Sequence, residues 1–278
     1  MEILIAETAG FCFGVKRAVD MAFKAAEKGR GRVATFGPII HNPQVIQRLS
    51  ETGVVPVEEI GEDIDLLIIR THGIPRDTFL KIQQRGIDLI DATCPFVKKA
   101  QEYAKLLKEG GYRVIILGDS GHPEVKGILS YAGEDAVVVK DAAEIKRPGR
   151  KVGIVVQTTQ PVERLKELVS RVVETAKEVK VYNTICNSTA MRLRETEELA
   201  SEVDVMFVVG GKNSANTKQL AHLCKRIGVN TYHIETAEEI RPEWIKGLKK
   251  AGITAGASTP DWIISEVKER LEQLSTNY

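Results

Sequence analysis

The chain has 278 residues, of which 43% are hydrophobic, so it is long enough and apolar enough to bury substantial cores. Its 39 Lys and Arg residues balance 38 Asp and Glu residues, and this near neutrality favours neither nucleic acid nor an anionic membrane as a partner. No apolar run reaches transmembrane length, and Glu2 stands near the N-terminus, where a signal peptide would be positively charged. We therefore predict a cytoplasmic protein.

The first third of the chain reads as alternating strands and helices. Residues 1–6 alternate like a strand and lead to Cys12, and an amphipathic helix is predicted at about 15–28. Asn42 suits an N-cap and Pro43 suits the first helical position, which together predict a helix over 43–51. The other elements of this part are the strand RVATF, a strand at 65–69, a polar loop at 71–73, a helix after Pro75 and the strand IDLI.

The same order of elements returns after Cys94 and again after Cys186. Pro95 suits a first helical position, and a long helix is predicted at 162–179. Ser188 could cap the helix that follows Cys186. The remaining segments of these two copies are the strand YRVIIL, the helix start His122-Pro123-Glu124, the loop 157–159, the strand VDVMFVVGG, the loop 212–216 and the segment GITAGASTP.

The spacing of the shared residues indicates a triplication. A glycine ends the next strand 25, 24 and 24 residues after the cysteines at 12, 94 and 186, and His41, His122 and Ser214 follow four positions later. The repeat period, 82 and then 92 residues, far exceeds that of a solenoid, so each copy is predicted to be a small α/β domain. The predicted domains cover residues 13–93, residues 94–185, and residues 186–278 together with 1–12.

The N-terminal strand at 1–6 is assigned to the third copy. This copy ends with a helix at about 261–274 and lacks the strand that follows the equivalent helix in the other two copies. Alternating strands and helices predict parallel sheets, whose ligand groups gather at the carboxyl ends of the strands. We therefore predict an α/β fold of three pseudo-symmetric domains in a ring, with the three cysteines and the polar loops facing one central cavity.

Three of the four cysteines occupy equivalent positions ahead of predicted helices. Cys12, Cys94 and Cys186 thus lie at helix N-termini, whose partial positive charge favours thiolates. In a reducing compartment and without a C-x-x-C pair, disulfides are not expected. Three cysteines can hold either a tetrahedral zinc ion or a 4Fe-4S cluster, each with one position open. Cys224 lies in an apolar helix stripe and is predicted to belong to the core.

The polar loops of the three copies carry side chains suited to an anion. Any one histidine there could equally cap a helix or bond within the core, but matching positions in several loops favour a site for phosphate oxygens. Glu124 could likewise only favour a helix N-terminus, whereas in a water-poor cavity it would hold a proton and could serve as an acid. The candidate donors are His41, His72, His122, Thr158, Thr159, Ser214, Asn216 and Ser258.

Several motifs together span essentially the whole chain. They are GFCFGV around Cys12, GPIIHNP around His41, THGIP around His72, DATCP around Cys94, GHPEV around His122, QTTQ at 157–160, GKNSAN at 211–216 and GAST at 256–259. These motifs resemble those of the 4-hydroxy-3-methylbut-2-enyl diphosphate reductase family, also called IspH or LytB. Ala215 departs from the pattern, because relatives often carry a second serine there; the change removes a hydroxyl and keeps the backbone N–H.

This resemblance implies the last step of the non-mevalonate isoprenoid pathway, a two-electron reductive removal of the substrate hydroxyl that gives isopentenyl and dimethylallyl diphosphates. It implies that Cys12, Cys94 and Cys186 hold a 4Fe-4S cluster whose open iron takes the hydroxyl oxygen, and that a ferredoxin or flavodoxin supplies the electrons. Glu124 would be the acid, acting with Thr158 and His122. The residues implied for substrate binding are His41, His72, His122, Thr158, Ser214, Asn216 and Ser258.

Two other interpretations of the same residues stay open on sequence alone. One is a 4Fe-4S dehydratase similar to quinolinate synthase, which would not take up electrons during turnover. The other is a protein without enzymatic activity that is stabilised by zinc at a three-cysteine site, and zinc without sulfide after anaerobic purification would indicate it.

Overall fold

The structure is a computed structural model that describes residues 1–28, 31–61 and 63–276. Strands and helices alternate along these residues. The strands are β1 (Glu2–Ile5), β2 (Val33–Phe36), β3 (Val55–Val57), β4 (Leu66–Ile69), β5 (Asp88–Asp91), β6 (Arg113–Leu117), β7 (Val137–Val139), β8 (Lys151–Val156), β9 (Glu178–Val181), β10 (Val205–Val209), β11 (Asn230–Ile234) and β12 (Lys250–Ala255). The helices are α1 (Phe13–Glu27), α2 (Pro43–Glu51), α3 (Arg76–Gln84), α4 (Pro95–Glu109), α5 (Pro123–Ala132), α6 (Val162–Val173), α7 (Asn187–Ala200), α8 (Ala215–Ile227) and α9 (Asp261–Thr276).

The strands form three parallel sheets with the same internal order. The sheets read β3-β2-β4-β5, β7-β6-β8-β9 and β11-β10-β12-β1, so β1 takes the place that β5 and β9 take in the other two sheets. Its register runs from Glu2 opposite Lys250 to Ile5 opposite Ile253. The three parallel α/β sheets confirm the predicted fold class, and β1 joins the third sheet as the pattern of the repeats predicted. The domain boundaries and the ring stay predictions.

The chain divides into two compact units, the first of which comprises Met1–Lys16, Ile40–Arg48 and Asn187–Tyr278. It contains the sheet β11-β10-β12-β1. Successive residues of β10 point to opposite faces of this sheet, as the pleat of a strand requires. On one face Val205, Phe207 and Val209 pack with residues of α9, and on the other Met206 and Val208 pack with residues of α7 and α8, including Cys224. The core position predicted for Cys224 is therefore confirmed.

The second unit comprises Arg17–Ile39 and Leu49–Cys186 and contains the other two sheets. Here β6 shows the same alternation: Ile115 and Leu117 pack with α6, whereas Val114 and Ile116 pack with α4 and α5. A side chain at Gly153 of β8 would place its Cβ 2.6 Å from Leu107 of α4, so this close approach requires a glycine.

Two local expectations are confirmed and two are wrong. Asn42 caps α2 by accepting the N–H of Val45 at 3.0 Å, and Pro95 is the first residue of α4. The helix predicted at 162–179 ends at Val173, because Glu178–Val181 pairs with β8 as β9. Ser188 does not cap α7, since this helix begins at Asn187 and Ser188 lies within its first turn.

None of the helices described is both long enough and apolar enough to cross a membrane.

Candidate active site

The three cysteines of the repeat have the same local setting. Cys12, Cys94 and Cys186 directly precede α1, α4 and α7, are free of disulfides and are half-buried. The carbonyl oxygens of Cys12 and Cys94 accept the first helical hydrogen bonds, from Lys16 at 2.9 Å and Lys98 at 3.0 Å. Each thiol therefore lies at a helix N-terminus, where the partial positive charge favours a bound anionic group.

The backbone N–H of each of these cysteines is held by the polar loop that follows an equivalent strand. In the first unit the N–H of Cys12 donates to the carbonyl of Ala257 after β12, at 3.2 Å. In the second unit the N–H groups of Cys94 and Cys186 donate to the carbonyls of Thr71 after β4 and Thr158 after β8, each at 2.9 Å. One hydrogen bond thus fixes each cysteine to a candidate ligand-binding loop.

Cys224 differs from these three in both position and chemistry. Its side chain is fully buried in the core, and this burial raises the pKa of the thiol to about 11. A thiol of this kind is inert as a ligand at neutral pH, because only the thiolate binds metal.

The first unit brings neutral polar groups together at the start of α8. Ser214 caps this helix, with its Oγ accepting the N–H of Thr217 at 3.3 Å, and Asn216 Oδ1 accepts the N–H of Ala257 at 3.0 Å. Ser258 Oγ donates to the carbonyl of His41 at 3.3 Å. Ser214, Asn216 and Ser258 are all buried, so this group is shielded from bulk water.

The amide nitrogen of Asn216 is a buried hydrogen-bond donor. Asn216 Nδ2 is buried, and among the residues described it has no hydrogen-bond partner. A buried donor without a partner is costly and is normally satisfied by a bound group or water. Because Ala257 bonds both to Asn216 and to Cys12, this donor and one cysteine are held by the same loop.

The second unit brings together a buried acid and a threonine. Glu124 is only 2% exposed and accepts two bonds from Thr158, one from its N–H at 2.6 Å and one from its Oγ1 at 2.9 Å. Burial raises the pKa of Glu124 to about 7, although both bonds from Thr158 act to lower it. A carboxyl group with such a pKa is suited to general acid–base chemistry at neutral pH.

Two histidines lie beside this acid in the second unit. His122 caps α5, with Nδ1 accepting the N–H of Glu124 at 3.2 Å, and this geometry assigns the ring proton of the neutral form to Nε2. The rings of His72 and His122 meet edge to face with their centroids 5.3 Å apart. His72 directly follows Thr71, whose carbonyl holds Cys94.

The candidate residues thus fall into two groups. Within the first unit are Cys12, His41, Ser214, Asn216 and Ser258, and within the second are His72, Cys94, His122, Glu124, Thr158 and Cys186. Sequence analysis missed Arg192 and Glu195 of α7, which contact the segment ahead of Cys12. No signal could have identified them, because an arginine and a glutamate three positions apart are ordinary on a helix.

Comparison with known proteins places the chain in a family. Residues 3–272 match the LytB protein family. The chain belongs to the LytB family. This LytB-family chain is 49% identical over 279 residues to the 4-hydroxy-3-methylbut-2-enyl diphosphate reductase of Geotalea uraniireducens (strain Rf4), covering 99% of this chain and 98% of that relative. It is 50% identical over 283 residues to the enzyme of the same name from Aquifex aeolicus (strain VF5), covering 99% and 97%.

Two solved structures are similar to this LytB-family chain. One is an (E)-4-hydroxy-3-methyl-but-2-enyl diphosphate reductase, the terminal enzyme of the non-mevalonate pathway; it is 48% identical, with a TM-score of 0.73 over 98% of this chain and 100% of that chain. The other is the E-1-hydroxy-2-methyl-but-2-enyl-4-diphosphate reductase from Plasmodium falciparum, with a TM-score of 0.90 over 98% of this chain and 87% of that chain. At 24% identity, the second similarity supports the fold alone.

Proposed function

We propose that this chain is a 4-hydroxy-3-methylbut-2-enyl diphosphate reductase. It removes the substrate hydroxyl with two electrons and two protons, giving isopentenyl or dimethylallyl diphosphate and water. The observation that carries the proposal is the threefold repetition of one arrangement, in which a free cysteine starts a helix and its N–H bonds to a polar loop. Relatives with this activity in their names match almost the full length of the chain, which supports it.

Cys12, Cys94 and Cys186 hold a 4Fe-4S cluster in this proposal. The donor set fits such a group, because all three cysteines are free, are half-buried and lie at helix N-termini that favour an anionic cluster. When bound, the cluster supplies single electrons and a Lewis-acidic iron that has no protein ligand. A ferredoxin or a flavodoxin is the electron donor, and the protein works in the cytoplasm.

The diphosphate is held mainly by neutral donors. Ser214 and His122 cap helices α8 and α5, whose N-terminal N–H groups favour anions. The unpartnered Nδ2 of Asn216 supports this assignment most directly, since a phosphate oxygen would satisfy it. The residues that bind the substrate are His41, His72, His122, Thr158, Ser214, Asn216 and Ser258.

Glu124 is the acid that protonates the leaving hydroxyl. Its raised pKa means that the protonated form is populated at neutral pH, and transfer of this proton lets the hydroxyl depart as water. Thr158 fixes the carboxyl through two hydrogen bonds, and its hydroxyl can also contact the substrate alcohol. His122 orients the same site through its bond with the N–H of Glu124.

Anaerobic reconstitution tests the proposal. We expect about four irons and four sulfides per chain, reduction of the hydroxylated diphosphate by a chemical one-electron donor, and a spectral change of one iron when substrate is added. Zinc without sulfide would instead identify a structural metal site. A cluster without consumption of electrons during turnover would identify a dehydratase.

A further inference from the structure

The segment that leads to Cys12 is longer than its equivalents. Six residues separate β1 from Cys12, whereas two separate β5 from Cys94 and four separate β9 from Cys186. Local side-chain bonds are made at both shorter segments: Asp91 Oδ1, at the end of β5, accepts the N–H of Thr93 at 2.9 Å, and Thr184 Oγ1 accepts the N–H of Val156 at 2.9 Å.

Two side chains of helix α7 form hydrogen bonds with the longer segment. The carboxylate of Glu195 accepts the N–H of Thr8 at 2.8 Å and is also bonded to the Thr8 hydroxyl and to the N–H of Glu7. Arg192 Nη2 donates to the carbonyl of Gly10 at 3.0 Å. Residues three positions apart lie on the same face of a helix, so Arg192 and Glu195 act together on this segment.

Arg192 also joins this segment to the end of β12. Its Nη1 donates to the carbonyl of Ala255 at 2.6 Å, and two residues later the carbonyl of Ala257 accepts the N–H of Cys12. The side chain of Arg192 is only 2% exposed, and the carbonyl oxygens of Ala255 and Gly10 are among the hydrogen-bond partners that a buried charge requires. Its planar guanidinium group therefore binds both chain segments that meet at Cys12. The ammonium group of a lysine cannot make this pair of hydrogen bonds with the same geometry.

A related contact precedes Cys94 in the second unit. Arg17 of α1 donates to the carbonyls of Thr93 at 3.2 Å and Asp91 at 3.4 Å. In both units an arginine on the helix that follows one cysteine thus binds the segment ahead of another cysteine. Arg192 is the more buried of the two arginines and makes the shorter bonds.

We propose that Arg192 and Glu195 are positioning residues for Cys12, an inference that rests on the proposed role of Cys12 as a cluster ligand. They fix residues 7–10 so that the thiolate stays where the cluster requires it. When either contact is lost, the segment opens and Cys12 leaves its position more often, while the fold of the sheet is kept.

The first test measures the exposure of Cys12 in the metal-free full chain. The variants are Arg192→Lys and Glu195→Gln, and the matched control is Arg194→Gln, which removes an exposed charge from the same helix. Alkylation by iodoacetamide is followed for each cysteine by peptide mass spectrometry. We expect Cys12 to react about tenfold faster in both variants, because losing one hydrogen bond to a charged group shifts the opening equilibrium of the segment by about that factor. The alkylation rate of Cys94 should be unchanged.

The second test measures cluster retention after anaerobic reconstitution. We expect both variants, but not Arg194→Gln, to release iron to a chelator faster than the wild type and to show an altered electron paramagnetic resonance spectrum. If Arg192→Lys does not fold, the alkylation and iron-release results for Glu195→Gln alone test the inference. A variant that unfolds at the same temperature as the control and shows wild-type Cys12 alkylation and iron release would overturn the inference. A wild-type chain that binds no cluster would overturn the proposed function instead, and the alkylation result would still decide whether α7 holds Cys12.

Discussion

The two units offer a ligand different chemistry. The first supplies buried neutral groups, Ser214, Asn216 and Ser258, and leaves one amide donor of Asn216 without a partner among the residues described. The second supplies a buried carboxyl, Glu124, whose pKa burial raises to about 7. Binding of a diphosphate needs donors, whereas removal of a hydroxyl needs a proton. Under the proposed function, the first unit therefore supplies most of its groups as neutral donors and the second supplies the proton, and the predictions for Glu124 and Asn216 test this division.

The largest effect is expected at the cysteines, where the two units do not differ. Replacing Cys12, Cys94 or Cys186 by Ser removes a ligand, so iron content and reductase activity should fall to background in all three variants. Cys224→Ser is the matched control, because this thiol lies in the core and should change only stability. Iron analysis and turnover assays check the result. Normal iron and turnover in any of the three variants would remove that cysteine from the site.

Replacing the acid of the second unit should separate turnover from binding. In Glu124→Gln the side chain keeps its shape but cannot deliver the proton, so kcat should fall about 10²–10⁴-fold while KM and cluster content stay near the wild type. The matched control is Glu163→Gln, which changes an exposed glutamate in the first turn of α6. Near-normal turnover in Glu124→Gln would exclude Glu124 as the acid.

The pH dependence of both activity and stability should reflect the titration of Glu124. Because protonated Glu124 is required, kcat/KM should fall about tenfold per pH unit above pH 7. The raised folded-state pKa also means that the folded chain binds the extra proton between pH 4.5 and 7, so stability falls as pH rises through this window. Relative to wild type, Glu124→Gln should therefore gain free energy of unfolding as pH rises, on the order of 3 kcal/mol. Denaturation at pH 5 and pH 8 measures it; parallel pH curves would contradict the assignment.

A smaller effect is expected in the first unit. Asn216→Ala removes a buried donor to the diphosphate, so KM should rise about 10–100-fold with a smaller change in kcat. Asn213→Ala, which changes an exposed position just ahead of α8, is the matched control. Steady-state kinetics separates the two parameters. A fall in kcat alone would place Asn216 with the proton-transfer group rather than with the binding group.

Much of the fold could be predicted because it repeats. The order of strand, helix and cysteine recurs three times, and this recurrence predicted the parallel sheets and the assignment of the N-terminal strand to the third copy; its pairing with β12 is seen in the structure. Asn42 and Pro43 predicted the start of α2 because capping acts between near neighbours. The end of α6 could not be found this way, because the residues of β9 adopt a strand only by pairing with β8.

From neighbouring residues alone one can predict that three cysteines precede three helices and that polar loops recur at fixed distances from them, because capping and periodicity are local. The burial of Glu124 against Thr158 and the bond from Arg192 to Gly10, a residue 182 positions away, are seen only in the folded chain. Burial and long-range hydrogen bonds arise from segments that meet only after folding. They raise the pKa of Glu124 and hold the segment ahead of Cys12, and no local pattern encodes either effect.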